Sequence, residues 1–315
     1  MPIATEMKMN AIAPWFGGKR TLAPVIVEEL GKHRAYWEPF CGSMAVLLAK
    51  EPCSQETVCD LHEDLTNLAW VLADPVKAVE LYERLNQVIF TEAIFEYARE
   101  VLQQKGPSFG SADRAYWYFI FSWMGRNGLA GTSRALTSAM AIRYTSGGGS
   151  PTIRFRSAKE SIPPWHYRLQ NALILRRDAF EVLPEIEDKE GTVIYIDSPY
   201  LFETRSSGAK FDQGAKYLHD FDEPARDEPA GNLFGGTKKK DKHDLLAEAL
   251  FRYKHSRVVI SYYDHPRLRD LYAGWTFRSL DANKNMAAQN RRDMAGRTEA
   301  PEILIINGPS FVETA

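Results

Sequence analysis

Two hydrophobic patterns divide this chain. Short apolar runs rich in β-branched and aromatic residues occur at YWEPF (36–40), ETVCDL (56–61), LILRRDAF (173–180), TVIYIDSPY (192–200), RVVISYY (257–263) and EILIIN (302–307), and these read as strands. The run TVIYI has no polar alternation, the mark of a strand covered on both faces. CGSM (41–44) reads as a turn, AVLLAK (45–50) starts a helix, and DLTNLAWVLAD (64–74) and KHDLLAEALFRYK (242–254) are helical. A β-α-β order of this kind predicts an α/β fold on a parallel sheet with right-handed crossovers, and ligands in such sheets bind at the carboxyl ends of the strands.

The second pattern fills the gap between two of those runs. VKAVELYERLNQVIF (76–90) and TEAIFEYAREVLQQK (91–105) repeat apolar residues every three or four positions, as amphipathic helices do. Residues 125–157, rich in Gly, Ser, Thr and Arg, read as an irregular and partly mobile element. The expected organisation is one α/β domain, residues 1–75 and 165–315, interrupted by a mainly helical insertion at 76–164. Residues 204–242, with DEPARDEP followed by GGTKKKDK, read as a long surface loop that is disordered or orders only with a partner.

With 44% hydrophobic and 25% charged residues, the 315-residue chain falls in neither the disordered nor the membrane class. No apolar window is long enough to span a bilayer and the first residues lack a signal pattern, so cytoplasmic residence is expected. Three cysteines with no CxxC pair point to reduced thiols, and Cys53, Cys59 and His62 lack a fourth zinc ligand, so no metal is expected. The net charge of −2 gives no sign of nucleic acid, but its distribution does. Between Arg126 and Arg177 stand nine basic residues against the single acid Glu160, a footprint for a polyanion unless acids from elsewhere in the fold neutralise it.

Candidate chemistry gathers at the strand ends. Gly42 and Asp60 follow the first two strands with the spacing of a nucleotide-binding unit, in which the acid holds ribose hydroxyls. A dinucleotide fingerprint would need more glycines, and WFGGKR (15–20) does not match a phosphate-binding P-loop; a ribose-bearing ligand without a pyrophosphate fits better. In Asp197-Ser198-Pro199-Tyr200, Pro199 restricts the backbone at 198, so the 198 carbonyl and the Asp197 carboxylate offer two acceptors beside an aromatic expected to be exposed. That set suits the exocyclic amine of a flat base; a simple Asx turn stopped by proline is the plain alternative.

The order PWFGGKR, EPFCGS, VCDLHEDL, a helical and basic insertion, RRDAFEVL, IDSPY, KHDLLAEAL, VVISYYD and EILIIN resembles that of the Dam-type, alpha-group DNA adenine-N6 methyltransferases over nearly the whole chain. The resemblance implies a Rossmann-like methyltransferase sheet, S-adenosylmethionine as methyl donor, double-stranded DNA as partner, a flipped-out target adenine, a monomer, and a bacterial or phage-borne, solitary or restriction-linked role. It implies that Trp15, Gly17, Gly18 and Lys19 close over the methionine end of the donor. By the same resemblance Glu38, Pro39, Phe40, Cys41 and Gly42 surround the donor, Asp60 holds its ribose, Asp178 and Phe180 border its adenine, and Asp197 adjoins the donor as well as the target base. Asp197, Ser198, Pro199 and Tyr200 would bind the target base, with Tyr200 stacking on it, and the insertion would recognise DNA through Arg126, Asn127, Arg134, Arg143, Arg154 and Arg156.

Three positions depart from the family pattern. Ser198 replaces the first proline of the usual Asp-Pro-Pro-Tyr, Met44 stands where a second glycine is frequent, and His62 stands where asparagine is frequent. GLAGTSR (128–134) also replaces the element found in enzymes that read GATC, which leaves the target sequence open. Cytosine-N4 methylation uses the same two acceptors and stays as an alternative, as do an RNA substrate and a DNA-binding module that has lost catalysis.

Overall fold

The computed structural model describes residues 7–104, 106, 109–126, 135–144, 149–201, 204, 221, 240–280 and 301–312. Seven strands, β1 (Ala35–Glu38), β2 (Gln55–Cys59), β3 (Leu173–Leu175), β4 (Thr192–Ile196), β5 (Arg257–Tyr263), β6 (Thr276–Ser279) and β7 (Glu302–Ile306), form one sheet in the order β3-β2-β1-β4-β5-β7-β6. β3, β2, β1, β4 and β5 pair in parallel, while β7 runs antiparallel between β5 and β6. The chain moves outward from β1 to β3 on one side and resumes at β4 on the other. This is a Rossmann-like sheet, and its switch point opens a crevice at the carboxyl ends of β1 and β4. β6 escaped the sequence reading because it is short and half-exposed, with no apolar pattern to signal it.

The strand side chains alternate between two cores. Tyr36, Val58, Val193, Tyr195, Val259 and Leu304 pack on one face, and Ile194, Ile196, Val258, Ile260, Tyr262 and Ile305 on the other. The second face is covered by α10 (Lys242–Leu250) and α11 (Pro266–Leu271), which contribute Leu246, Leu250 and Leu268.

The first face is covered by α1 (Ala23–Leu30), α2 (Ala45–Ala49) and α3 (Glu63–Ala73), and its core continues without a break into the helices between β2 and β3: α4 (Pro75–Asn86), α5 (Glu92–Gln103), α6 (Ala112–Met124), α7 (Pro151–Glu160) and α8 (Ile162–Leu169). Asp74, Thr91 and Ser111 cap α4, α5 and α6 through their side chains. Arg114 of α6 forms a two-pronged ion pair with Asp64 of α3 and also donates to the carbonyls of Val101, Leu102 and Gln104. Trp123 and Trp165 donate to the carbonyls of Ile12 and Met9, which ties the segment before α1 onto α6 and α8.

The stretch 125–157 is not irregular throughout. α7 begins at Pro151, whose ring suits the first helical turn, and buries Phe155 and Ala158 although its apolar stripe is weak. Before it, Gly125 and Met140 form an isolated antiparallel bridge. Residues 127–134 and most of 204–242 lie outside the described residues, so the expectation of a partner-ordered loop falls there. Among the described residues no helix is long and apolar enough to cross a membrane.

Candidate active site

Each of the four strands β1 to β4 delivers one carboxylate to the crevice: Glu38 ends β1, and Asp60, Asp178 and Asp197 follow β2, β3 and β4 closely. They line a cleft of about 970 Å³ including its open mouth. All thirteen residues assigned to the donor on sequence grounds line it: Trp15, Gly17, Gly18, Lys19, Glu38, Pro39, Phe40, Cys41, Gly42, Asp60, Asp178, Phe180 and Asp197. Sequence reasoning missed Phe16, Ser43, His62, Arg177, Phe221 and Lys242, which also contribute. Phe221 packs its ring 5.8 Å from Phe40 and 5.7 Å from Phe180, completing an aromatic corner.

The turn after β1 is shaped by contacts that leave little freedom. Asp60 accepts from the backbone N–H groups of Gly42 (2.9 Å) and His62 (2.8 Å), so it holds the turn after β1 as well as facing the cleft. A Cβ on Gly42 would lie 2.7 Å from Trp15 Nε1, and its φ of +44° is one that glycine adopts readily. Met44 takes φ +62° with its side chain fully buried, so the turn keeps the left-handed shape a glycine would give it. Asp178 caps α9 (Ala179–Val182) by accepting from Phe180 N–H at 2.8 Å.

Lys19, 5% exposed, places its ammonium 2.8 Å from Asp197 Oδ1, 3.4 Å from Glu302, 2.7 Å from the Gly17 carbonyl and 4.9 Å from the centre of the Tyr200 ring. Ser261 Oγ donates to the same Asp197 oxygen at 2.9 Å and is itself 2.9 Å from Tyr195 Oη. Burial pushes the Asp197 carboxyl above its ordinary range, and the Lys19 charge pulls in the opposite direction. Fully buried and near Asp197, Glu38 is raised to about 8, although it accepts from Tyr36 Oη at 3.0 Å.

The tetrapeptide is clamped from β5 on both faces of the sheet: Ser261 holds Asp197, and Tyr262 Oη lies 2.9 Å from Ser198 Oγ. Asp197 and Pro199 line the cleft. Tyr200 is not the exposed aromatic expected from the sequence. It is 4% exposed, donates to Glu302 at 2.6 Å and packs against Tyr262 and Tyr263, because β7 brings Glu302 to its hydroxyl. Ser261, Tyr262 and Glu302 became apparent only with strand register, since each is ordinary within its own strand.

The basic stretch 126–177 is less open than its composition suggests. Arg168 pairs with Glu56, Arg176 with Glu63 and Arg177 with Glu181 and Glu185, and Lys159 donates to the Leu85 carbonyl. Arg154 is half-buried and donates to the carbonyls of Trp123 and Gly125, the junction between α6 and the bridge. Arg126, Arg143 and Arg156 are exposed, next to the exposed Ile142 and Tyr144 in the case of Arg143. Asn127 and Arg134 lie outside the described residues.

Among the described residues no group of three or more His, Cys, Asp or Glu could hold a metal ion. Cys59 donates to the Arg177 carbonyl and His62 caps α3, so neither is disposed toward zinc. The cleft fits S-adenosylmethionine in its own terms: the aromatic corner of Phe40, Phe180 and Phe221 suits a purine, and the carboxylates of Asp60 and Asp178 suit a ligand carrying hydroxyl and cationic groups.

A search of curated proteins found no match. The family model of the D12 class N6 adenine-specific DNA methyltransferases matches residues 15–222, more than half of the 315-residue chain. The chain therefore belongs to that family, and it is an enzyme that transfers a methyl group from S-adenosylmethionine to the N6 amine of adenine in DNA.

Proposed function

We propose that the cleft at the ends of β1 to β4 holds donor and target base together, and that Asp197 with the 198 carbonyl receives the amine of an adenine flipped out of double-stranded DNA. The observation that carries this reading is the position of Asp197. It lines the same cleft as the donor residues, and among the described residues both of its side-chain hydrogen bonds go to Oδ1, which leaves Oδ2 for the substrate.

An adenine amine is a weak nucleophile because its lone pair is delocalised into the ring. Hydrogen bonds accepted by Asp197 and by the 198 carbonyl favour a pyramidal nitrogen and receive the proton it sheds on gaining a methyl group. Bound S-adenosylmethionine supplies that methyl group on a positively charged sulfur. Asp60, Asp178, Phe40 and Phe180 orient the donor, and the loop of Trp15, Gly17 and Gly18 excludes water over it. Lys19 belongs to Asp197 more than to the donor, since its ammonium keeps that carboxylate charged and fixed. Tyr200, buried as it is, supports this arrangement through Lys19 and Glu302.

Residues 76–164 act as the target-recognition domain and share their core with the sheet. Arg126, Arg143 and Arg156 contact DNA, together with Asn127 and Arg134. Arg154 instead shapes the surface they stand on. One chain supplies the whole site, which suits a monomer.

Asp197→Ala is the test. It is expected to retain donor binding by calorimetry and to lose methyl transfer by about 10³-fold or more. Near wild-type turnover would overturn the assignment. Nucleoside digestion of the methylated DNA followed by mass spectrometry would show N6-methyladenine and no N4-methylcytosine.

A further inference from the structure

Ser198 occupies a position where a proline ring would hold the backbone by covalent closure, and three buried groups stand there instead. Ser198 Oγ lies 2.9 Å from Tyr262 Oη, which lies 3.0 Å from His243 Nδ1. The three residues are 2%, 1% and 1% exposed. The chain of bonds runs from the end of β4 across β5 to the first turn of α10, and it closes with protons ordered in either direction. A hydroxyl at this depth that lost its partner would cost about 1–3 kcal/mol, so the bond to Tyr262 pins residue 198 in place.

We propose that Tyr262 and His243 are positioning residues for methyl transfer: they hold the Ser198 hydroxyl, and with it the turn that carries the Asp197 carboxylate and the 198 carbonyl. The proposal rests on the reading that those two oxygens receive the target amine. Ser261 fixes the Asp197 side chain from one face of the sheet, and Tyr262 fixes the next residue from the other. The 198 carbonyl that follows is thereby aimed without a proline at 198. A merely structural network would affect folding and donor binding; a positioning network affects the chemical step.

The experiment is single-turnover transfer to duplex DNA at saturating donor, with donor affinity by calorimetry and thermal unfolding measured in parallel. Ser198→Ala and Tyr262→Phe should each slow transfer about 10-fold or more while donor affinity stays within about two-fold. The double variant should be no slower than the slower single one, because both remove the same link. In a Ser198→Pro background, where ring closure fixes φ, Tyr262→Phe should change the rate by less than about two-fold. His243→Gln should give a smaller slowing that also vanishes in that background.

Wild-type transfer by Ser198→Ala, or a Tyr262→Phe effect of equal size in all three backgrounds, would overturn the proposal. If Tyr262→Phe fails to fold, Ser198→Ala and Ser198→Pro decide the matter alone: the alanine variant must be slowed more than the proline variant. Asp197→Ala is assayed alongside. Should it transfer normally, the reading of the acceptor site fails; should it be inactive while Ser198→Ala is fast, only the positioning role fails.

Discussion

Met44 sets two single-residue effects against each other. A left-handed backbone costs a non-glycine residue about 1–2 kcal/mol, whereas removing a fully buried methionine side chain costs about 2–5 kcal/mol. Burial wins, so Met44→Gly should lower the melting temperature by an amount equivalent to about 2 kcal/mol despite relieving strain. Charge at Asp197 is a second residue-scale effect. The role proposed for Asp197 needs its ionised form and burial raises its pKa, so kcat/KM should climb as pH rises through that raised value. Lys19 lowers the same pKa, and Lys19→Met should therefore move the climb to higher pH while weakening transfer.

At the scale of elements, β1 ends in a carboxylate that the fold keeps protonated. Glu38 has an ordinary value of 4.5 and a folded value of about 8. Below the lower value both states hold the proton. Between the two only the folded state does, so stability falls as pH rises through this window and levels off above it. Glu38→Gln should flatten that fall in a series of thermal melts from pH 4.5 to 8, and an unchanged slope would assign it to another group.

The strands with continuous apolar runs, β1, β2, β4, β5 and β7, were legible in the sequence, as were the helices with a strong apolar stripe, because burial on two faces or one stripe is written in composition. The lining of the cleft was equally legible, since most of its residues follow those strands directly in the chain. α7 was hidden by its weak stripe and its glycine-rich approach, and β6 by its brevity. The clamp of Ser261, Tyr262 and Glu302 was hidden for another reason: it depends on which strand lies beside which, and local pattern does not encode register.

For the whole molecule, composition overstated the polyanion surface, because Arg154, Arg168, Arg176 and Arg177 have internal partners. Arg126→Ala and Arg143→Ala should each lower the slope of log Kd against log salt for duplex DNA by about one, with melting unchanged. Arg154→Ala should destabilise the protein by about 1–3 kcal/mol, since it leaves the Trp123 and Gly125 carbonyls unmatched.

The antiparallel β7 lies inside the sheet, between β5 and β6, and its first residue, Glu302, touches both Lys19 and Tyr200. Synthesis from the N-terminus therefore completes β1 to β4 about a hundred residues before Glu302 exists, so the acid that meets both Lys19 and Tyr200 is among the last parts of the sheet to be made.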